Sequence, residues 1–274
     1  MTNAPLPRRG CPPKTGTMNI SGNTIFIPGA TSGIGLALAL RFKAAGNTVI
    51  IGGRRVEVLD GLAAEYGFDT VAMDTTDPAS VLAARDTVTA RRPELNVLIT
   101  MAGVMAPEDV HTAGFLPEAE RIVETNVLGP LRLLAAFIGQ LQSRPQAALI
   151  TVSSGLAHTP LAATPTYNGT KAFIHQFSET IRLQLADTPV QVIELVPPGV
   201  QTELMPGGSV DERHLPLDSF ADEVMALLET RPAAKEILVE AVQFLRFAEV
   251  QGRYDDAVAA VNPQLTAGNR GGAA

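Results

Sequence analysis

From Asn23 onward the chain repeats one pattern: a short β-branched run, then a longer stretch whose apolar residues recur at helical spacing. The pattern predicts strands at Thr24–Ile27, Thr48–Ile51, Thr70–Met73, Val97–Thr100, Ala148–Val152, Gln191–Leu195 and Ile237–Val239. Each run is apolar enough to be covered on both faces, as in a parallel sheet. Helices are predicted at Gly33–Ala45, Val56–Tyr66, Pro78–Arg91, Leu116–Gln142, Thr164–Ala186 and Ser219–Thr230. Strands alternating with helices of this length read as βαβ crossover units. The expected fold is therefore α/β, a single doubly wound (Rossmann) sheet of about seven parallel strands with helices on both faces.

One domain is expected over 19–262, with a disordered leader over 1–18 and a flexible tail over 263–274. The leader carries Pro5, Pro7, Arg8, Arg9, Pro12 and Pro13 and lacks the apolar centre of a secretory signal, and Met18 is an alternative start. Gly46 and Asn47 both tolerate a left-handed backbone and are expected to stop the first helix. The one long irregular stretch, Pro197 to Leu217, is rich in proline and glycine and is expected to be functional or mobile.

With 274 residues, 46% of them hydrophobic, the chain can bury a large core. Its net charge of -7 and scattered basic residues argue against nucleic acid as a partner. The apolar runs Gly35 to Leu40 and Leu131 to Leu141 are interrupted well before the roughly 20 residues that span a bilayer, so no membrane helix is expected. Cys11, alone, can form neither an internal disulfide nor a thiolate metal site. No metal site is expected, and a cytoplasmic location is.

After the first strand comes Gly29-Ala30-Thr31-Ser32-Gly33-Ile34-Gly35, opening directly into a helix. Glycines there would let the backbone approach a pyrophosphate, whose charge the free amides and the helix dipole would stabilise. Glycines also serve tight turns and close helix–sheet packing, so context matters. The second strand ends Gly52-Gly53-Arg54-Arg55, with Gly53 where an NAD site would carry an acid for the ribose 2′-hydroxyl. Two arginines in place of that acid favour a 2′-phosphate, hence NADP(H) over NAD(H). The alternative is that Arg54 and Arg55 merely begin a solvated helix. Asp74 and Thr75, after the third strand, are candidates for the adenine end, although Asp-Thr-Thr-Asp is equally good as a helix N-cap.

Tyr167 and Lys171 stand four apart on a predicted helix, so their side chains share one face. A neighbouring ammonium would favour the phenolate of Tyr167 and tune it for acid–base chemistry. Val152-Ser153-Ser154 closes the fifth strand, and strand carboxyl ends are where open α/β sheets bind ligands.

Taken in order, the glycine loop Gly29 to Gly35, Ala102-Gly103, Asn126, Ser154, Tyr167 with Lys171, and Pro197-Pro198-Gly199 resemble the motifs of the short-chain dehydrogenase/reductase family, from about Asn19 to Val239. The segments Asn96 to Met105, Ser153 to Pro160 and Phe244 to Phe247 resemble its bacterial DltE-like branch. The resemblance implies an NADP(H)-dependent oxidoreductase acting on a carbonyl or alcohol. It implies that Tyr167 exchanges the proton with the substrate oxygen and that Ser154, preferred over Ser153 by spacing, hydrogen-bonds that oxygen. Lys171 would also hold the nicotinamide ribose, and Asn126 would position a water linking Lys171 to solvent. Thr31, Ser32, Gly33, Ile34, Ala102, Gly103, Pro197, Gly199 and Val200 would line the cofactor, and Thr202 would touch its carboxamide or phosphate. A homodimer or homotetramer through the helices Leu116–Gln142 and Thr164–Ala186 is also implied. Pro28, where the family usually has threonine, and Thr100-Met101, where it has paired asparagines, depart from the pattern.

Val104, Met105, Leu156 to Thr159 and the Pro197–Leu217 loop are expected to wall a mainly apolar substrate pocket, with His158 near its mouth, where it would bind a polar substrate group or, as a lone loop histidine more often does, simply be solvated. From a different class, a noncatalytic NADP(H)-sensing regulator would use the same fold as a switch.

Overall fold

The computed structural model describes residues 17–264. Residues 1–16, with Cys11, and 265–274 lie outside the description, and with them most of the expected leader and tail. Strands β1 (Thr24–Pro28), β2 (Thr48–Gly53), β3 (Asp69–Ala72), β4 (Val97–Thr100), β5 (Ala147–Val152), β6 (Val190–Leu195) and β7 (Glu236–Ile237) form one sheet in the order β3-β2-β1-β4-β5-β6-β7. Every pairing is parallel. The order reverses between β1 and β4, which makes the carboxyl ends of those strands the crevice in which such sheets bind ligands.

The helices are α1 (Gly33–Ala44), α2 (Val56–Tyr66), α3 (Pro78–Arg91), α4 (Leu116–Val123), α5 (Gly129–Gln142), α6 (Pro165–Gln184), α7 (Leu217–Thr230), α8 (Glu240–Arg246) and α9 (Tyr254–Val261). The strands feed two cores in alternation. Ile25, Ile27, Val97, Ile99, Ala148 and Ile150 join Leu38 and Phe42 of α1 and Phe220 and Val224 of α7. Phe26, Leu98, Ala147 and Leu149 join Val81 and Val88 of α3 and Leu133, Phe137 and Leu141 of α5. A period of two with both faces apolar is why the strands read as continuous apolar runs.

Several expectations change. The predicted helix Leu116–Gln142 is interrupted by one π-helical turn at Glu124–Leu128. Two short helices, α8 and α9, follow β7 and were not predicted; they are 7 and 8 residues long, too short to print a helical period. Gly46 takes the left-handed backbone expected of it, at φ 86°. Asn47 does not: it is buried, and its amide donates to the carbonyls of Ile20 and Phe42. Met18 belongs to the core rather than to a loose leader, at 5% exposure. The run Ala113–Gln142 is long and apolar enough, by length and composition, to cross a membrane, contrary to the expectation from its interruptions. The π turn joins two apolar stretches into that run, and here Leu133, Phe137 and Leu141 cover the sheet.

Candidate functional site

Gly29 follows β1 at φ 91°, and a Cβ there would lie 2.6 Å from the Cα of Ala102. The glycine loop therefore packs backbone to backbone on the chain leaving β4. Gly35, in the first turn of α1, is as constrained, because a Cβ would lie 2.9 Å from both Ala30 Cα and Met101 Cγ. Met101, a departure noted in the sequence, is thus a packing partner of the loop. Pro28 ends β1 beyond its ladder with β4, which pairs Ile25 with Val97 and Phe26 with Leu98, and the next amide, Gly29 N, donates to Gly52 O at 2.8 Å.

Ser32 caps α1 without a side-chain hydrogen bond, and no acid stands in the first turn. Amides at a helix start left unsatisfied in this way form an anion site. Thr202 lies against Gly33, whose Cβ would come 3.5 Å from its methyl. The loop after β6 thus closes over the glycine loop. That loop is ordered by a bridge between Val200 and Leu215 and by Leu215 N donating to Gly199 O. Pro197 O accepts from Gly155 N at 2.9 Å.

A Cβ on Gly53 would meet Thr31 Cγ2 at 2.7 Å, so an acid at this position does not fit as the loop stands. Arg55 donates to Thr31 Oγ1 at 2.9 Å, and Arg54 lies close enough to Asp74 to favour its charged form. Asp74 accepts from the amide and hydroxyl of Thr76, while Asp77 caps α3. The N-cap of α3 is therefore Asp77 and not Asp74. Thr75 is buried against Gly129, and its carbonyl takes a bond from Arg132 at 3.4 Å. The open glycine cradle, the unsatisfied helix start and the two arginines fit a dinucleotide with a 2′-phosphate.

At the carboxyl ends of β4 and β5 four further candidates meet. Asn126 sits in the π turn at 1% exposure. Its Oδ1 accepts from Val104 N at 2.8 Å, and its Nδ2 donates to Val104 O at 2.8 Å and to Thr170 Oγ1 at 3.2 Å. The wider turn aims this side chain inward, a use of π bulges common at functional sites. Gly103 lies between Asn126 and Lys171: a Cβ on it would be 3.5 Å from Asn126 Oδ1 and 3.8 Å from Lys171 Nζ. Lys171 donates to Val152 O at 2.9 Å, and its Nζ lies 5.5 Å from the ring centre of Tyr167. Ser154 lies close enough to the Tyr167 hydroxyl to pull its pKa down, and accepts from Leu156 N at 3.1 Å.

Electrostatics differ from the expectation. Burial pushes Tyr167 up to about 12, against a smaller downward pull from Ser154. Burial also pushes Lys171 down to about 8, opposed by the charge of Glu194. Lys171 spends a hydrogen on Val152 O and sits over the phenol ring, so desolvation outweighs any help it gives the phenolate. Tyr167 rests as a protonated donor.

Sequence reasoning missed a second cluster behind this site: His158, His175, Glu194, Glu236 and Arg246. His158 is not solvated; it is half-buried, edge-on to His175 with ring centres 4.5 Å apart. These residues come from separate elements, so no spacing pattern could announce them.

The chain can now be set beside known proteins. The sequence profile described as short chain dehydrogenase matches residues 23–212. The uncharacterized oxidoreductase DltE of Bacillus subtilis is 36% identical over 90% of this chain and 99% of its own length. An NADPH-dependent 1-acyldihydroxyacetone phosphate reductase of Schizosaccharomyces pombe is 31% identical over 84% of this chain and 78% of its own. A short chain dehydrogenase of Burkholderia cenocepacia, solved in complex with NADP, superposes with a TM-score of 0.75 at 27% identity, covering 89% of this chain and 98% of that one. On fold, order of motifs and extent of match, the chain belongs to the short chain dehydrogenase family of oxidoreductases.

Proposed function

We propose that this protein is a reductase that moves hydride between NADP(H), preferred over NAD(H), and a carbonyl or secondary-alcohol substrate, with Tyr167 as the acid/base. The observation that carries this reading is the convergence of Tyr167, Ser154, Lys171 and Asn126 beside the glycine loop. NADPH, when bound, supplies the hydride. Gly29 to Gly35, with Thr31, Ser32, Gly33 and Ile34, would cradle its pyrophosphate; Arg54 and Arg55 would take the 2′-phosphate, and Asp74 and Thr75 the adenine end. Ala102, Gly103, Pro197, Gly199, Val200 and Thr202 would line the nicotinamide half.

The chain's own residues handle the proton. Ser154 donates a hydrogen bond to the substrate carbonyl oxygen and holds it near the Tyr167 hydroxyl. Tyr167, kept protonated by burial, gives its proton to that oxygen as the C–H bond forms, which leaves a phenolate and an alcohol. Lys171, as ammonium, stabilises the phenolate and holds the ribose, and Asn126 holds the water through which the proton is restored from solvent. Val104, Met105, Leu156 and Ala157 would form the apolar wall against the substrate, whereas Thr159 is fully buried and His158 turns to the cluster behind the site.

We further assign a cytoplasmic location and a homodimer or homotetramer. Leu116 at 51% and Phe173 at 40% exposure leave apolar surface on α4 and α6 for a partner copy. The deciding experiment follows NADPH oxidation against a panel of aldehydes and ketones. Turnover that is lost in Tyr167→Phe, while NADPH binding persists, is expected. Tight NADPH binding with no turnover in either protein would favour the sensing regulator.

A further inference from the structure

Behind the Ser154–Tyr167–Lys171 site the fold gathers four side chains of metal-ligand type. His158 comes four residues after Ser154, His175 four residues after Lys171 on α6, Glu194 from the end of β6 and Glu236 from β7. One ligand atom from each lies within 4.8 Å of all the others. We propose that His158, His175, Glu194 and Glu236 form a binding site for a divalent transition ion of the zinc class.

Three observations carry this. The first is geometric: zinc holds imidazole and carboxylate ligands at about 2.0–2.2 Å in a tetrahedron, with ligand atoms about 3.4 Å apart. The four elements already bring these ligand atoms to within 4.8 Å of one another. The second concerns His158: its Nε2 is buried and has no hydrogen-bond partner. A buried polar atom without a partner is costly and uncommon.

The third is that the carboxylates are already oriented by outer partners. Ser153 Oγ donates to Glu194, which is fully buried and also bonds His175 Nδ1 at 2.9 Å. Arg246 holds both oxygens of Glu236, at 2.7 and 3.0 Å. Such second partners fix ligand orientation in metal sites. Arg246, paired with Glu236, is the resident cation with which an ion must share the cluster. Paired imidazoles select a transition ion over magnesium or calcium. An ion here would staple the turn after Ser154 to α6, β6 and β7.

The test uses the full chain, stripped with a chelator, gel-filtered and titrated with Zn²⁺ by calorimetry. One ion per chain is expected, with a rise in Tm of about 5 °C or more at hundredfold excess over Kd. His158→Gln and His175→Gln should each weaken binding by more than about 100-fold, beyond the loss typical of outer partners. Cys11→Ser and His111→Gln should leave it unchanged. Co²⁺ on the unaltered chain gives a readout that needs no variant, namely the intense visible bands of a four-coordinate nitrogen/oxygen site. The proposal is overturned by the absence of stoichiometric binding, by binding that survives both histidine variants, or by a thiolate or six-coordinate Co²⁺ spectrum. Absence of binding would leave the cluster as a hydrogen-bonded network in which His175 pairs with Glu194 and Arg246 with Glu236.

Discussion

Ser153 and Ser154 are consecutive, yet their hydroxyls part at the end of β5: Ser154 faces the Tyr167 hydroxyl, whereas Ser153 donates to the buried carboxylate of Glu194. One serine faces the proposed site and the other supports the framework. Ser154→Ala should lower kcat for NADPH-dependent reduction about 100-fold, the loss typical of removing one donor to a developing oxyanion. Ser153→Ala should leave kcat within about threefold but destabilise the fold by about 1–3 kcal/mol, because Glu194 loses a buried donor. Steady-state kinetics and urea unfolding of both variants separate the two roles; equal loss of kcat in both would contradict the division.

The pH profile follows from the buried pair. Below about pH 8 Lys171 is an ammonium, and above it the proton leaves, while Tyr167, pushed up to about 12, keeps its own. For reduction, kcat/KM should be level below pH 8 and fall about tenfold per unit above it, since that ratio reports groups of the free enzyme. Residual activity of Lys171→Arg should lack this limb. The stability sign is opposite: Lys171 sits below its ordinary 10.5, so the unfolded chain binds more protons between about 8 and 10.5, and this residue's contribution to stability rises with pH there. A flat activity profile through pH 10 would remove Lys171 from the reaction.

Asn126 clamps both the amide and the carbonyl of Val104. Asn126→Ala should cost about 1–3 kcal/mol through the partners it leaves buried and unpaired. Asn126→Asp, of nearly the same shape, keeps the acceptor and loses the donor, so it should also be destabilised. Denaturant midpoints equal to the parent in both variants would mean that the π turn stands without this side chain.

Replacing Arg54 and Arg55 together with alanine should raise KM for NADPH about 10–100-fold, the equivalent of losing a hydrogen bond to a charged group. KM for NADH should hardly move, because NADH has no 2′-phosphate. Parallel weakening of both cofactors would show that the arginines support the loop through Thr31 rather than read the phosphate.

Much of this architecture was legible in the chain because parallel strands covered on both faces are written as apolar runs, and Thr24 to Ile27 or Ala148 to Val152 have few other readings. Gly29 and Gly35 were legible because close backbone approach admits no Cβ. The π turn around Asn126 was not, since one extra backbone step inside a helix leaves the apolar stripe almost intact. Nor was the state of Tyr167: two residues four apart say that they share a face, but not that both are desolvated. The cluster of His158, His175, Glu194 and Glu236 depends on β6 and β7 lying side by side next to α6, which is information about topology and not about spacing.

The contact between Gly53 and Thr31 bears on how this chain could change its cofactor. A lone Gly53→Asp step, which would introduce the acid an NAD site uses, drives its Cβ to 2.7 Å from the Thr31 methyl, inside the loop proposed to hold the pyrophosphate. That intermediate is strained and gains nothing while Arg54 and Arg55 remain. The Thr31 methyl has to turn away or be removed along with the arginines, so a natural lineage or a laboratory library reaches the other nicotinamide dinucleotide through coupled changes rather than a single one.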